Sequence, residues 1–313
     1  MRPLPIILAL SLVANLALAG YLLSSPGLQA PGGAGGDDPR AEQVEALERR
    51  LDALRQENAA LRAELEELKA PSADPAPGGM GDTSQDKTVL SWYFYRNKEH
   101  RPPTTDPAYL QAIADGRGIF LGPTDRKTVY LTFDEGYENS YTARILDILA
   151  ANGVRAAFFV TGPYVRANPA LVRRMAAEGH VVGNHSQTHP SLPKVSNDLI
   201  REEVLSVHRQ VRELTGTEMR FFRPPMGEFN RRTLDQVHSL GYTSVFWSMA
   251  YKDWDVNKQP GSEAAYRHVI DNIHPGAVIL LHAVSQSNTE ALDRILKELK
   301  RQGYTFGTLD ELA

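Results

Sequence analysis

The stretch "VYLTFDEGYENSY", Val129–Tyr141, contains an alternating apolar run that ends in two adjacent acids, Asp134 and Glu135, followed by a glycine. Alternation of apolar residues with a period of two is typical of a β-strand. The two acids then stand either at a solvated strand end beside a turn glycine or at the edge of an active site. Two neighbouring like charges decide little alone, so the choice depends on what other strands bring to the same place.

Further strand candidates follow this run, and amphipathic helical stretches separate most of them. The strand candidates are "AAFFVT", "VVGNH", "RFFRPP", "SVFWSM", "AVILLH" and "YTFGT", and the helical stretches include "TARILDILAANG", "PALVRRMAAEGH" and "TEALDRILKELKRQG". Repeated β-then-α units predict parallel strands that are joined by right-handed crossovers. About seven such units favour a closed or nearly closed α/β barrel over the alternative, an open doubly wound sheet.

Ionisable residues stand at or shortly after the ends of several predicted strands. They are Asp134 with Glu135, His185, Arg223, Asp253 and His282. In parallel β/α folds the catalytic groups collect at the carboxyl ends of the strands. We therefore expect these side chains to face one common site, which favours the active-site interpretation of the acidic pair.

The motif "HSQTH" places His185 and His189 four residues apart. On a helical turn this spacing puts both imidazoles on one face, within reach of one ion. An isolated pair of this kind is more often one core or capping histidine and one surface histidine, but the preceding strand end and the acids elsewhere favour a metal site. Two histidines and one carboxylate leave open positions on zinc, which is the pattern of a hydrolytic site.

The adjacent acids suit a division of labour in which one binds a metal ion and the other takes a proton from metal-bound water. Asp134 is the better base candidate, because a cation such as Arg223 would hold it ionised. The alternative for Arg223 is a surface ion pair of little energy. His282 is suited to protonating a leaving amine, and Asp253 to setting the tautomer of that ring. The alternative for His282 is a buried imidazole bonded to a carbonyl.

Composition excludes some functions. Hydrophobic residues make up 42% and charged residues 23% of the 313 residues, which is ordinary for a globular protein. The formal net charge of −4 gives no support for nucleic-acid binding, which usually shows a basic face. The chain has no cysteine, and this excludes disulfides, thiolate metal sites and cysteine nucleophiles.

The N-terminal segment predicts a membrane location. "LPIILALSLVANLALAGYLL", Leu4–Leu23, carries no charge and is long enough to span the ~30 Å hydrocarbon core of a bilayer. The alternative is a cleaved signal peptide, since "ALA" at Ala17–Ala19 fits the cleavage rule. Apolar residues continue past that point and favour an uncleaved anchor over residues 1–23. We expect a single-pass protein of the cytoplasmic membrane whose catalytic domain lies outside the cytoplasm, in a periplasmic or extracellular space.

A coiled-coil stalk is predicted between two linkers, 24–39 and 70–86, that are rich in proline and glycine. Within residues 40–69 a and d positions recur in steps of three and four: Val44, Leu47, Leu51, Leu54, Asn58, Leu61, Leu65 and Leu68. The buried amide of Asn58 favours a parallel homodimer through residues 44–68. The alternative is a lone amphipathic helix that lies on the domain or on the membrane.

The remaining chain divides into an N-terminal extension, 87–126, and a catalytic domain, 127–313. The extension is aromatic and proline-bearing, and we expect it to pack on the catalytic domain as an extended segment. In the domain, Trp254 would wall the pocket or stack on a sugar, although a tryptophan is more often part of a core. The prolines of "RPPMG", Pro224 among them, stiffen the end of the strand that carries Arg223.

Five motifs in this order resemble those of the polysaccharide deacetylase superfamily, also called carbohydrate esterase family 4 or the NodB-homology domain. "TFDEG" resembles the family's TFDDG, "HSQTH" its H-S/T-x-x-H, "RPPMG" its RPPYG, "KDW" the end of its D-x-x-D-W, and "LLH" its L-x-H. The resemblance covers about residues 127–313. The stretches "SWYFYRN", "VFWSMAYKDW" and "LLHAVSQSNTEAL" are similar to one branch, the PdaA-like N-acetylmuramic acid deacetylases, and extend the likeness to about residue 90.

The resemblance implies a distorted (β/α)7 barrel, a divalent metal ion and a glycan substrate. Zinc is the first expectation for the metal, with manganese, cobalt and calcium as alternatives, and peptidoglycan is the expected substrate. The implied roles are Asp134 as base, His282 as acid, Arg223 and Asp253 as their braces, Glu135, His185 and His189 as metal ligands, and Met226, Pro224 and Trp254 at the substrate and oxyanion positions.

Two departures from the family pattern stand in the motifs themselves. Family members usually carry aspartate where Glu135 stands, and tyrosine where Met226 stands. The PdaA-like branch also departs from aspartate at the first of these positions, typically with asparagine. A backbone oxyanion donor survives the second change. A site disabled at Glu135 would instead make the chain a non-catalytic glycan-binding scaffold, which we keep as the alternative of another class.

Overall fold

The strand that contains the acidic pair is at the centre of the fold. The computed structural model describes residues 86–97 and 99–312. The predicted membrane anchor, coiled coil and linkers, up to residue 85, lie outside the described residues. Strand β3 (Thr128–Glu135) is buried along its whole length, because it has neighbours on both edges and side chains packed on both faces.

Ten strands and eight α-helices make up the described part of the chain. The strands are β1 (Leu90–Ser91), β2 (Gly118–Ile119), β3, β4 (Ala157–Val160), β5 (Val181–Asn184), β6 (Phe221–Phe222), β7 (Glu228–Phe229), β8 (Thr243–Val245), β9 (Val278–His282) and β10 (Thr305–Gly307). The helices are α1 (Pro107–Ile113), α2 (Thr142–Ala151), α3 (Gly162–Ala167), α4 (Pro169–Ala177), α5 (Asn197–Thr215), α6 (Arg231–Ser239), α7 (Ser262–Asn272) and α8 (Gln286–Arg301).

Eight of the strands form one parallel sheet. Its order is β10-β3-β4-β5-β6-β8-β2, and β9 also pairs with β3, on the edge opposite β10. A parallel bridge between Met249 and Ile279 links the segment after β8 to β9 and brings the two ends of the sheet together. The predicted parallel α/β architecture is confirmed, and the barrel takes the form of a half-barrel.

Side chains of β3 alternate between two packing layers, as the pleat of a strand requires. Val129, Leu131 and Phe133 belong to the large core between the strands and the helices. Tyr130 belongs instead to the inner cluster, which also contains Phe159 and is enclosed by the curved sheet. This parity determines where the two acids at the end of β3 point.

Capping residues in the local sequence mark the ends of the helices near the site. The hydroxyl of Ser196 accepts a hydrogen bond from the backbone N–H of Leu199 and caps α5 at its N-terminus. Gly216 ends the same helix in the left-handed region at φ 75°, a conformation that favours glycine. Ser285 caps α8 in the same way, three residues after His282. This short connection holds the end of β9 close to the first turn of α8.

The N-terminal extension forms one wall of the molecule next to the strand ends. Strand β1 pairs antiparallel with β7, and Asp106 caps α1. Trp92 stacks on Phe246 with ring centroids 4.3 Å apart, and its indole N–H donates to the carbonyl of Trp247 over 2.9 Å. The extension is therefore fixed to the segment that follows β8.

Membrane crossing was predicted for residues that this structure does not cover. In residues 86–97 and 99–312 no helix has both the length and the apolar character that a bilayer crossing needs. The predicted anchor over residues 1–23 lies outside those ranges.

Candidate active site

A cleft of about 770 Å³ opens at the carboxyl ends of the strands. Asp134, His185, His189 and His282 line it on the side of the sheet. Residues of the N-terminal extension, of the segment after β6 and of the segment after β8 form most of the remaining wall. The structure thus brings four of the predicted catalytic and metal-binding residues to one cavity, and the three predicted substrate-side residues line it as well.

Asp134 is held by a buried cation. Its Oδ1 accepts a hydrogen bond of 2.7 Å from Nη1 of Arg223, and Asp134 is 6% and Arg223 0% exposed. The same Nη1 donates to the hydroxyl of Thr132 over 2.9 Å, and Nε donates to the carbonyl of Val245 over 3.1 Å. The guanidinium also lies 4.1 Å from the ring centroid of Phe159, so its position is fixed on several sides.

These surroundings keep Asp134 ionised. Burial alone would raise the pKa of its carboxyl, but the positive charge of Arg223, with a further contribution from His282, lowers that pKa below its ordinary value. A carboxylate that stays ionised over the working pH range can accept a proton from water. The arrangement therefore suits Asp134 to the part of a general base.

His185 and His189 meet without a helical turn between them, which corrects the geometry that we expected for "HSQTH". His185 directly follows β5, and the next residues form an irregular loop in which Ser186 (φ 66°) and His189 (φ 59°) are left-handed. The two Nε2 atoms are 3.1 Å apart. The bend of the loop, and not a helical face, brings the rings together.

Both rings are neutral and His185 presents a free lone pair. Nδ1 of His185 donates to the carbonyl of Arg223 over 2.8 Å, so its Nε2 carries no proton in the neutral ring. Burial lowers the pKa of His185 to about 4 and lowers that of His189 as well. Neutral imidazole is the form that binds metal ions.

A buried glutamate holds the strained histidine loop in place. Glu203 of α5 accepts hydrogen bonds from the backbone N–H of Thr188 over 2.7 Å and from the Thr188 hydroxyl over 2.6 Å. The hydroxyl of Ser186 accepts from the backbone N–H of His189 over 2.9 Å. A non-glycine residue at positive φ costs energy, and these bonds fix it in that conformation.

His282 stands beside Asp134 in the sheet and is held by a second carboxylate. Oδ1 of Asp253 accepts from Nδ1 of His282 over 2.7 Å, and Oδ2 accepts from the backbone N–H of His282 over 2.8 Å. Asn288 of α8 donates to Oδ2 over 2.5 Å, and its own side-chain oxygen accepts from the hydroxyl of Tyr251. Asp253 is 1% exposed and has three donors around it.

The two hydrogen bonds from His282 to Asp253 favour the protonated imidazole. Burial would lower the pKa of His282, but the hydrogen bond and the negative charge of Asp253, with a further contribution from Asp134, raise it above the ordinary value of 6.5. A histidine that is protonated near neutral pH can give a proton to a leaving group.

Glu135, a predicted metal ligand, does not lie with the histidine pair in this structure. Its carboxylate lies against the hydroxyl of Thr142, at 3.4 and 3.3 Å from the two oxygens. The reason is the parity of β3, which sends Asp134 into the cleft with Thr132 and sends Glu135 into the layer beneath the helices with Phe133. Burial, and then the nearby charge of Glu138, raise the pKa of Glu135 well above 4.5.

The histidine pair fits a divalent cation, whereas the predicted carboxylate ligand does not. Two nitrogens bound to one tetrahedral ion at about 2.0 Å would lie about 3.3 Å apart, close to the observed separation. In the described ranges, 86–97 and 99–312, no three His, Cys, Asp or Glu side chains surround a common ion position. The nearest carboxylate oxygen to the pair is Oδ2 of Asp134, 3.5 Å from Nε2 of His185.

The three predicted substrate-side residues line the cleft. Met226 stands at φ 58° directly after Pro225, and its side chain is 54% exposed. Trp254 is 53% exposed, with the ammonium of Lys252 4.9 Å from its ring centroid. Pro224 lies beside them in the wall. An exposed aromatic ring in the wall of a cleft is suited to stacking on a sugar.

Sequence reasoning missed the residues that hold the site residues in place. Thr132 was detectable, because it precedes Asp134 by two positions on the same strand and must share its face. Asn288 and Glu203 were not, because each reaches the site from a helix whose pattern fits a simple amphipathic surface. Arg96 and Lys252 also line the cleft, and they carry no motif signal.

Comparison with known proteins places this geometry in a family. The family model described as "Polysaccharide deacetylase" matches residues 121–245. The chain is 45% identical over 224 residues to the peptidoglycan-N-acetylmuramic acid deacetylase PdaA of Bacillus subtilis, covering 71% of this chain and 85% of that protein. It is 36% identical over 197 residues to a peptidoglycan-N-acetylglucosamine deacetylase of Bacillus cereus, covering 62% and 70%.

The fold gives the same result. The solved structure of Bacillus subtilis PdaA, a family 4 carbohydrate esterase, superimposes with a TM-score of 0.70 at 44% identity, covering 72% of this chain and 97% of that chain. The similarity therefore extends over nearly the whole of that structure.

Proposed function

The chain belongs to the polysaccharide deacetylase family, and we propose that it hydrolyses the N-acetyl groups of peptidoglycan amino sugars. The observation that supports this most is the opposed pair in the cleft, Asp134 with a lowered pKa and His282 with a raised pKa. Two titratable groups whose surroundings push their pKa values apart are suited to work as base and acid in one reaction.

The reaction is the addition of water across an amide bond. Asp134 removes a proton from the attacking water while the oxygen bonds to the acetyl carbon. The C–N bond then breaks, and His282 gives its proton to the departing nitrogen. Acetate and a free amino sugar result, so that one water is consumed for each acetyl group.

The other residues position these two groups. Arg223 keeps Asp134 ionised and oriented, and Asp253 keeps the Nε2 of His282 directed away from its own carboxylate and toward the cleft. The backbone N–H of Met226 is the proposed donor to the oxyanion of the acyl carbon. Pro224 and Trp254 shape the wall against which the sugar lies.

His185 and His189 are the residues that would hold a divalent metal ion. Such an ion, when bound, supplies a Lewis acid that polarises the acetyl carbonyl and lowers the pKa of water. Zinc suits a pair of imidazoles, and manganese and cobalt are alternatives. We do not assign Glu135 to this ion.

N-acetylmuramic acid is the favoured sugar. The relative with the N-acetylmuramic acid name shares 45% identity and the relative with the N-acetylglucosamine name 36%. N-acetylglucosamine in peptidoglycan or another glycan is the alternative within the same class. A non-catalytic glycan-binding scaffold is the alternative of another class, and it requires that acetate release be absent.

The location and assembly follow from sequence patterns. We propose that residues 1–23 anchor the chain in the cytoplasmic membrane with the catalytic domain outside the cytoplasm, and that residues 44–68 form a parallel dimer. The apolar run and the heptads support these proposals. Sedimentation of the full chain in detergent would give twice the monomer mass if the dimer forms and the monomer mass if it does not.

The experiment that tests the function is acetate release from purified peptidoglycan. We expect release by the wild type, loss with a chelator, and recovery when zinc is added back. His282→Ala is expected to lower the turnover about 10²- to 10⁴-fold, the size of an acid–base effect. Lys297→Gln, on the exposed face of α8, is the matched control. Absence of acetate release by the metal-loaded wild type would favour the scaffold.

A further inference from the structure

One part of the cleft wall is basic. Arg96 of the N-terminal extension and Lys252 of the segment after β8 both line it. Lys252 is adjacent in sequence to Asp253, which holds His282, so this wall stands next to the proposed acid. Neither cation takes part in the chemistry derived above.

Arg96 is fixed in this wall but keeps hydrogen-bond donors to spare. Its Nη2 donates to the carbonyl of Ala250, which ties the extension to the segment that carries Lys252. Among the described residues it has no carboxylate partner, and no acidic side chain affects its pKa. An arginine that uses one of its five N–H groups retains the planar fork that suits a carboxylate.

Lys252 is also free to bind a ligand. Its ammonium is 3.8 Å from Oδ2 of Asp255 and its side chain is 62% exposed, so this ion pair is weak. It lies over the ring of Trp254, which keeps the charge at the rim of the cleft. Two cations without strong acidic partners on one wall favour an anionic group on the ligand.

The chemistry of the proposed substrates supplies such a group. N-acetylmuramic acid differs from N-acetylglucosamine by a lactyl ether, with its carboxylate, on the ring carbon next to the one that carries the acetamido group. A sugar whose acetamido group lies between Asp134 and His282 must therefore place its lactyl group inside the same cleft. The carboxylate is charged only where no peptide stem is joined to it.

We propose that Arg96 and Lys252 form a carboxylate-binding subsite that receives the lactyl group of N-acetylmuramic acid. The proposal rests on the proposed deacetylase function. It identifies the residues that would distinguish N-acetylmuramic acid from N-acetylglucosamine. The subsite binds a charged lactyl carboxylate and makes no use of the neutral amide that a peptide stem creates. The other source of a carboxylate in this substrate is the peptide stem itself.

The test compares three substrates with the metal-loaded full chain and with Arg96→Gln/Lys252→Gln. The substrates are glycan strands without peptide stems, the same strands with stems, and N-acetylglucosamine oligomers. For stem-free strands we expect kcat/KM to fall about 10- to 100-fold in the double variant, through KM, as for lost hydrogen bonds to a charged group. For the other two substrates kcat/KM should not change.

Other outcomes overturn the proposal in different ways. A loss only with stem-bearing strands would assign the subsite to the stem carboxylates. An equal loss on all three substrates would mean that the two cations support the cleft as a whole, and no loss on stem-free strands would mean that they bind nothing there. Lys297→Gln, a remote lysine, is the control for a changed charge.

A binding measurement separates this proposal from the proposed function. Calorimetric titration of the N-acetylglucosaminyl-N-acetylmuramic acid disaccharide into the wild type and the double variant needs no turnover. A wild type that releases no acetate, but binds the disaccharide about tenfold or more tightly than the double variant does, would refute the deacetylase and retain the subsite. Equal affinities would refute the subsite whatever the turnover.

Discussion

Asp134 and Glu135 are neighbours on β3, and their carboxylates lie in two different regions of the molecule. Asp134 lies inside the curved sheet, bonded to Arg223 and near His185. Glu135 lies in the layer between sheet and helices, against Thr142. The first environment lowers the pKa of its carboxyl, and the second raises it.

The difference shows that the surroundings of a carboxyl, more than its residue type, determine the direction in which its pKa shifts. Both carboxyls are buried, and burial alone raises the pKa of either one. Only the inner region contains a cation that reverses this effect. In the outer region burial and the charge of Glu138 raise the pKa of Glu135, and the hydroxyls of Thr142 and Tyr164, which lower it, do not reverse that effect.

Metal binding is expected to show the largest difference between the two regions. His185→Ala is expected to weaken the binding of zinc about 100-fold or more, because it removes one of two converging ring nitrogens. Glu135→Gln is expected to leave the affinity unchanged, since its carboxyl points away from the pair. Calorimetric titration of the metal-free full chains gives both values. A large loss in Glu135→Gln would place Glu135 among the ligands.

A smaller effect is expected where a helix supports the acid side of the cleft. Asn288→Ala removes a donor to the Asp253 carboxylate, and we expect the rate of acetate release to fall about tenfold. Asn152→Ala removes a side-chain amide at the C-terminal end of α2, at the opposite ends of the strands, and should leave the rate unchanged. Equal rates for the two variants would remove Asn288 from the site.

The alkaline limb of the pH profile of kcat/KM tests the role of His282. His282 must be protonated to act as acid, so activity is present below its raised pKa and falls as pH rises through that value. Asp253→Asn removes the charge that raises the pKa of His282. The alkaline limb of kcat/KM should therefore move to lower pH, while the acidic limb, set by Asp134, stays in place. A limb that does not move would show that another group controls it.

The smallest expected effect is on stability. The folded state holds a proton on Glu135 above its ordinary pKa of 4.5, where the unfolded state releases it. The free energy of unfolding therefore falls as pH rises from 4.5 toward the raised value. Glu135→Gln removes this dependence, so the variant should melt at a higher temperature than the wild type at pH 8 and at a similar one at pH 4. The same difference at both pH values would mean that folding does not shift the pKa of Glu135.

The strands and helices with a regular apolar pattern were predictable from the sequence, because an element that buries one face has apolar residues at regular intervals. Apolar residues alternate along β3 and follow one another without a break along β9, and each strand ends in an ionisable residue. The leucines of α8 recur at helical spacing. Parallel topology then follows from the β-then-α order, and with it the meeting of Asp134, His185 and His282 at one edge.

The details of the site depend on contacts that are distant in sequence. Asn288 reaches Asp253 across 35 residues, and Arg96 reaches Ala250 across 154. The left-handed φ of His189 has no glycine to indicate it, because Glu203 stabilises the loop from α5. The position of Glu135 apart from the histidine pair has a local cause, since strand parity already separated it from Asp134.

The most direct test is to measure acetate release by the wild type, Asp134→Asn and Glu135→Gln from the same purified peptidoglycan with saturating zinc. The asparagine keeps an acceptor for Arg223, and circular dichroism verifies that both variants are folded. Release about 10²- to 10⁴-fold slower in Asp134→Asn, with Glu135→Gln equal to the wild type, is the predicted result. Equal losses in both variants, or normal release by Asp134→Asn, would contradict the account.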